Sequence, residues 1–261
     1  MLKLTIGNKN YSSWSMRPWV LLTQAGIAFE EVMLRFDNFN DEATYGQSPF
    51  KQSLRAITPA GKVPVLLDGD LTIWDTLAIA EYVAEQFADK QLWPADRAAR
   101  ARARSICAEM HSGFTGLRGN CPMNIEASLV ETGALIWRDK PAVRADVQRL
   151  VEMWGALLQQ YGGPMLFGHF TVADAYFAPV CTRITTYGLP VPADIAAYIE
   201  RVFALPGVQA WITQAKAEKD FLDFEEPYRM GPHAPPLRGS LPPEGAAFGK
   251  TPSPHLGAAL R

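Results

Sequence analysis

The sequence predicts an α/β module over residues 1–90, built on a mixed four-stranded sheet, followed by an all-α module over residues 96–222. Three observations lead there. Up to residue 73, short segments of alternating apolar residues interleave with segments of helical period. Beyond residue 95 the strand pattern stops, and apolar residues recur at three- and four-residue steps. Leu92-Trp93-Pro94 lies between the two and reads as a linker over 91–95, while a Pro/Gly-rich tail over 223–261 closes the chain.

Each element has its own signal. Leu2, Leu4 and Ile6 alternate with Lys3 and Thr5, as in a strand with one buried face. Residues 12–16 are a polar turn, after which Pro18 opens an apolar helix that stops at Ala25-Gly26. A second strand covers 28–34, and residues 37–60 carry no clear period. Val63–Leu67 is a third strand, Asp68-Gly69-Asp70 a tight turn, and Leu71-Thr72-Ile73 a returning fourth. Asp75 and Thr76 are good N-caps for the helix carrying Leu77, Ile79, Tyr82, Val83 and Phe87. In the second module, residues 97–117 and 143–161 have helical stripes, and Gly162-Gly163-Pro164 stops the latter. Thr171-Val172-Ala173-Asp174 has capping-box spacing and opens an apolar helix to about 186. Ile195 to Phe203 and Val208 to Ile212 continue the helical set. The last 35 residues hold eight prolines and five glycines, which predicts an extended or disordered tail, or one laid along the body or a partner.

Composition narrows the function. The 261 residues are 48% apolar and 20% charged, enough for a core without staples. A net charge of −2, from 25 basic and 27 acidic side chains, gives no bulk field to recruit nucleic acid or an anionic membrane. Cys107, Cys121 and Cys181 are odd in number and form no CxxC, which argues for a reducing compartment. The histidines (His111, His169, His233 and His255) make no HExxH pair, so no metal is expected. The first residues lack the apolar stretch of a signal peptide, and no run nears the roughly 20 apolar residues of a membrane span. The expectation is a soluble cytoplasmic protein.

Three features of the first module carry chemistry. Tyr11-Ser12-Ser13-Trp14-Ser15-Met16-Arg17 puts hydroxyls beside the free N–H groups of a helix N-terminus, a setting that stabilises an anion or serves as a plain N-cap. Val63-Pro64 enters a strand, where a cis bond would turn the Val63 backbone outward to pair with an extended peptide. Asp75-Thr76 opens a helix, where N–H groups and a hydroxyl would hold a carboxylate while Asp75 receives an ammonium; the plain N-cap is its structural alternative.

In this combination and order the three resemble the glutathione-binding half of a glutathione transferase, over roughly residues 1–222, with the tail outside. The serine stretch is similar to the motif of zeta- and tau-like transferases, and Val63-Pro64 falls where that family keeps a cis-proline. Asp75-Thr76 stands where the family has an acidic or amide residue followed by serine, and Thr171–Asp174 resembles its second-domain capping box. Tyr11–Ser15, Arg17-Pro18-Trp19 and Cys121-Pro122-Met123-Asn124 resemble a bacterial subgroup of transferase-like proteins.

The resemblance implies a thioredoxin-like first domain, glutathione as co-substrate, a small electrophile as second substrate, and a homodimer. It places Ser12 as the hydroxyl that hydrogen-bonds the glutathione sulfur, with Ser13 able to share or replace it. Lowering a thiol pKa by about two units takes about 2.7 kcal/mol, and one hydroxyl bond to a charged group supplies roughly 1.5–3 kcal/mol. Val63 and Pro64 would meet the cysteinyl backbone, Asp75 and Thr76 the γ-glutamyl end, and Lys51, Gln52 or Lys62 the glycyl carboxylate. Trp14, Met110, His111, Phe114 and Arg118 would line the electrophile pocket or, equally, form domain-interface core. Zeta-type isomerases carry cysteine where Trp14 stands, which removes cysteine chemistry at this loop and counts against maleylacetoacetate-type isomerisation. The expected activity is conjugation to, or reduction of, a small electrophile, with peroxidase or isomerase side activity admitted. The alternative is a binding or regulatory protein of the same fold without turnover.

Overall fold

The structure, a computed structural model, describes residues 1–36, 48–229 and 231. The first part runs β1 (Leu2–Ile6), α1 (Ser13–Gln24), β2 (Phe29–Met33), α2 (Pro49–Arg55), β3 (Val65–Asp68), β4 (Leu71–Ile73) and α3 (Thr76–Gln86). A 3-10 turn at Ala88–Lys90 leads to seven helices: α4 (Arg97–Ser112), α5 (Thr115–Asn120), α6 (Val130–Asp139), α7 (Pro141–Tyr161), α8 (Val172–Tyr187), α9 (Ala193–Phe203) and α10 (Pro206–Glu218).

The sheet has strand order β2-β1-β3-β4 and is mixed. β1 runs parallel to β2 through the α1 crossover and antiparallel to β3, and β4 folds back antiparallel on β3. Register decides what this sheet brings together. Thr5 faces Val65 and Leu66 faces Ile73, so the end of β1, the start of β3 and the end of β4 share one edge. The serine turn, Val63-Pro64 and Asp75-Thr76 all leave or enter strands at that edge. Three motifs spread between residues 11 and 76 thus become neighbours through strand pairing.

The helical part is centred on α8, where every residue of Val172–Tyr187 except Thr185 is buried. The capping box forms there as its spacing predicts. Thr171 Oγ1 accepts from Ala173 N at 3.3 Å, and Asp174 Oδ2 accepts from Thr171 N at 2.9 Å. Asp174 Oδ1 also accepts from Leu166 N (3.2 Å) and the Tyr198 hydroxyl (3.1 Å), so this wholly buried carboxylate ties three segments together. α1 packs directly against α8 and α10, which joins the two parts through one continuous core.

The structure departs from the sequence expectations in three places. Helix α2 lies in the stretch without a clear period; Pro49 sits at its start, and Ser48 Oγ caps it by accepting from Lys51 N at 3.2 Å. Residues 37–47 of that stretch lie outside the described residues. The single stripe expected over 97–117 is broken: Gly113 ends α4, and Phe114 is left-handed at φ 54° before α5. Helix α6 has no counterpart in the expectations. It approaches the end of α8 so closely that a Cβ on Gly133 would lie 1.7 Å from the Tyr187 carbonyl oxygen, a packing cue that periodicity does not carry. The start of the tail follows the alternative of lying along the body: Glu226 and Tyr228 are buried and bonded by Tyr11 and Asn124. Met230 and residues 232–261 lie outside the described residues. No helix among the described residues is long and apolar enough to cross a membrane.

Candidate functional site

The serine turn is fixed first by Asn8–Tyr11. Asn10 donates from Nδ2 to Asn124 Oδ1 (2.9 Å) and accepts from Glu126 N at Oδ1 (2.9 Å). The Lys9 and Asn10 N–H groups both donate to the Glu218 carboxylate, at 2.8 and 3.2 Å. The Tyr11 hydroxyl reaches the Glu226 carboxylate and the Asp220 carbonyl oxygen, the latter at 2.8 Å. Asn124 in turn donates to the Tyr228 hydroxyl at 2.7 Å. The polar groups of this turn are therefore held by α10 and by the segment after it.

Ser12 and Ser13 part company on this frame. The Ser12 hydroxyl is buried and donates to Ser15 Oγ at 2.7 Å, and Ser15 Oγ also accepts from Gly7 N at 3.1 Å. Ser12 stands at the N-cap of α1 without capping it. Ser13 Oγ instead accepts from Arg183 Nη2 at 3.1 Å, while Arg183 Nη1 donates to the Cys121 carbonyl oxygen. A hydroxyl whose lone pair meets a guanidinium keeps its proton for an outside acceptor. One whose proton is spent internally does not.

Around Ser13 the two parts of the chain interleave cations and rings. The Arg17 guanidinium lies 4.2 Å from the Trp14 ring centroid and 4.5 Å from that of Tyr176, and Arg118 lies 4.8 Å from Trp14. His111 stacks edge-on to Trp14 at 5.0 Å, with Nε2 3.2 Å from Asp75 Oδ2 and Nδ1 3.3 Å from the Tyr176 hydroxyl. Thr76 Oγ1 lies 3.0 Å from Asp75 Oδ1 and bonds the Tyr176 hydroxyl at 2.5 Å. Burial lowers the His111 pKa, Asp75 opposes that, and Arg17 and Arg118 add to it, so the imidazole is neutral at neutral pH. Burial also brings Arg17 and Arg183 down to about 10, which leaves both charged.

The sequence-derived site residues fall into groups. Ser13, Trp14, Asp75, Thr76, His111 and Arg118 come together in this cluster. Val63 is half-buried, and its bond to buried Pro64 is cis. Lys51 Nζ donates to the Gly61 carbonyl oxygen at 2.8 Å, near the same strand entry, and Lys62 is exposed there. Met110 and Phe114 are buried in the continuous core. The three cysteines are buried free thiols, and burial pushes all of them up, Cys121 to about 12, so none is an ionised nucleophile. Among the described residues no group of His, Cys, Asp and Glu could hold a metal ion. Sequence reasoning missed Tyr176 and Arg183, and passed over Arg17 as a site residue. A signal for Arg183 was present, since it is the one full charge after Asp174 in an otherwise apolar helix.

Comparisons with known proteins point to one family. The model for the glutathione S-transferase N-terminal domain matches residues 11–86, and that for the glutathione S-transferase C-terminal domain matches residues 131–214. The chain is 33% identical to a probable maleylacetoacetate isomerase of Caenorhabditis elegans, over 72% of this chain and 86% of that protein. It is 28% identical to glutathione S-transferase F14 of Arabidopsis thaliana, over 77% of this chain and 74% of that one. Among solved structures, a glutathione transferase homolog from Burkholderia GL BGR1 with bound glutathione superposes with a TM-score of 0.60 at 25% identity, covering 83% of this chain and 98% of that one.

Proposed function

The chain belongs to the glutathione S-transferase family, and we propose that it activates the glutathione thiol with the Ser13 hydroxyl for attack on a small electrophile. The observation that carries this reading is the 3.1 Å bond from Arg183 to Ser13 Oγ. With its lone pair engaged by a cation, Ser13 donates its proton outward to sulfur, and it does so better to a thiolate than to a thiol. The thiol proton leaves to solvent, and the thiolate is the nucleophile. A hydroxyl bond to charge is worth about 1.5–3 kcal/mol, and the α1 N-terminus adds about 0.3–1 kcal/mol. Together these cover a thiol pKa drop of about two units.

The remaining roles follow from the shared sheet edge. Val63 offers backbone groups to the cysteinyl part of glutathione, Asp75 with the α3 N-terminus takes the γ-glutamyl end, and Lys51 and Lys62 stand at the strand entry for the glycyl carboxylate. Bringing thiolate and electrophile together lowers the barrier further by removing an encounter step.

Steady-state kinetics with glutathione and 1-chloro-2,4-dinitrobenzene test this. Ser13→Ala is expected to lower kcat about 10- to 100-fold with KM for glutathione changed less than about threefold. Full kcat in Ser13→Ala would overturn the assignment.

A further inference from the structure

Arg17, Arg118 and Arg183 come from α1, α5 and α8 and converge on Ser13 and Trp14. Among the described residues none of the three forms an ion pair. Arg17 is 2% exposed, and its Nε and Nη1 have no hydrogen-bond partner. Three like charges held together, one with buried unpaired donors, repel one another and lose hydration, and folding alone gives no reason to assemble them. Among the described residues the acids nearby form no ion pair with them. Asp75 is engaged with His111, and Glu225 approaches Arg183 without pairing to it.

We propose that these three guanidinium groups form an anion subsite beside Ser13, so that the electrophile this enzyme prefers carries a carboxylate. Arg118 is half-buried and is the group a ligand reaches directly; its Nη1 is anchored by the carbonyl oxygens of His111 (3.3 Å) and Gly113 (3.2 Å). Arg17 and Arg183 lie beneath and supply field. The same carboxylate would relieve their repulsion, so binding energy is gained from a cost already present in the free protein. This inference rests on glutathione transfer at Ser13 and adds the charge class of the second substrate.

The test compares 4-chloro-3,5-dinitrobenzoate with neutral 1-chloro-2,4-dinitrobenzene. In both, the glutathione C–S bond forms, the aryl C–Cl bond breaks, chloride departs, and the thiol proton goes to solvent. With each kcat/KM divided by its uncatalysed rate constant, the wild type is expected to favour the benzoate about tenfold or more. That preference should fall about fivefold or more in Arg118→Gln, and should shrink as sodium chloride rises from about 0.02 M to about 0.5 M. Equal treatment of the two electrophiles, or an unchanged preference in Arg118→Gln, would overturn the subsite. A second arm omits glutathione and measures 4-nitrobenzoate against 4-nitrobenzamide by calorimetry, where about tenfold tighter binding of the anion is expected. If the chain turned over no glutathione, the transfer reading would fail while this arm still decided the subsite. Thermal melting of Arg118→Gln guards against a folding artefact.

Discussion

Residues 8–11 and 13–17 are separated by Ser12 alone and both largely withdrawn from water, yet their polar groups are treated in opposite ways. In Asn8–Tyr11 most side-chain and backbone donors meet an acceptor on α10, on the segment after it, or on Asn124, and Lys9 Nζ meets Glu31 on β2. In Ser13–Arg17 a serine is polarised by one arginine, and a second arginine keeps two donors unsatisfied against aromatic faces. The first pattern is what a structural turn needs, because an orphaned buried group costs free energy and a paired one does not. The second pattern is tolerated at a cost, and such costs concentrate where a ligand completes the arrangement. On the proposed reading, the difference separates a frame from a working surface within ten residues.

Variants that break the frame should act on stability and leave thiol chemistry to follow. The largest effect is expected on ending the chain after Glu226. This removes buried Tyr228 and its bond from Asn124, at a cost of about 2–4 kcal/mol in denaturant unfolding. Tyr11→Phe deletes only the hydroxyl that reaches Glu226 and Asp220; a loss of about 1–3 kcal/mol is expected by the same measurement. Ser12→Ala removes the donor to Ser15 and should cost about 1 kcal/mol with little change in kcat, the reverse of Ser13→Ala.

A pH series sharpens the same contrast. Burial pushes the Glu225 carboxyl up to about 7, with Arg183 opposing and Glu226 adding to the rise. An acid whose folded pKa is raised above its ordinary 4.5 gives its full support below that value and loses it as pH climbs through 4.5 to about 7. Docking of residues 221–229 should therefore be tighter at pH 5 than at pH 8, read as hydrogen-exchange protection corrected for intrinsic rates. Glu225→Gln should flatten that dependence; an unchanged slope would assign it to another group.

Much of the fold was legible because period and punctuation carry it. Alternation at Leu2–Ile6, the Asp68–Asp70 turn and the capping box at Thr171–Asp174 all formed where their patterns placed them. Helix α6 was not legible because its place is set by how closely Gly133 lets it approach α8, a fact of shape with no period of its own. The docked start of the tail was hidden for a related reason. Its anchors, Glu226 and Tyr228, are single residues satisfied by partners more than one hundred positions away. In the candidate site, the motifs meet at one edge of the sheet, but they do not say how the Ser12 and Ser13 hydroxyls are hydrogen-bonded. On the proposed reading that choice is made by Arg183, which local sequence around the turn does not contain.

The most direct test is the ionisation of bound glutathione, followed by thiolate absorbance near about 240 nm from about pH 5 to about pH 9. The wild type and Ser12→Ala should bind glutathione with a thiol pKa about two units below its free value, and Ser13→Ala should bind it with a value close to free. A depressed pKa that survives in Ser13→Ala and disappears in Ser12→Ala would contradict the assignment of Ser13 and of Arg183 behind it.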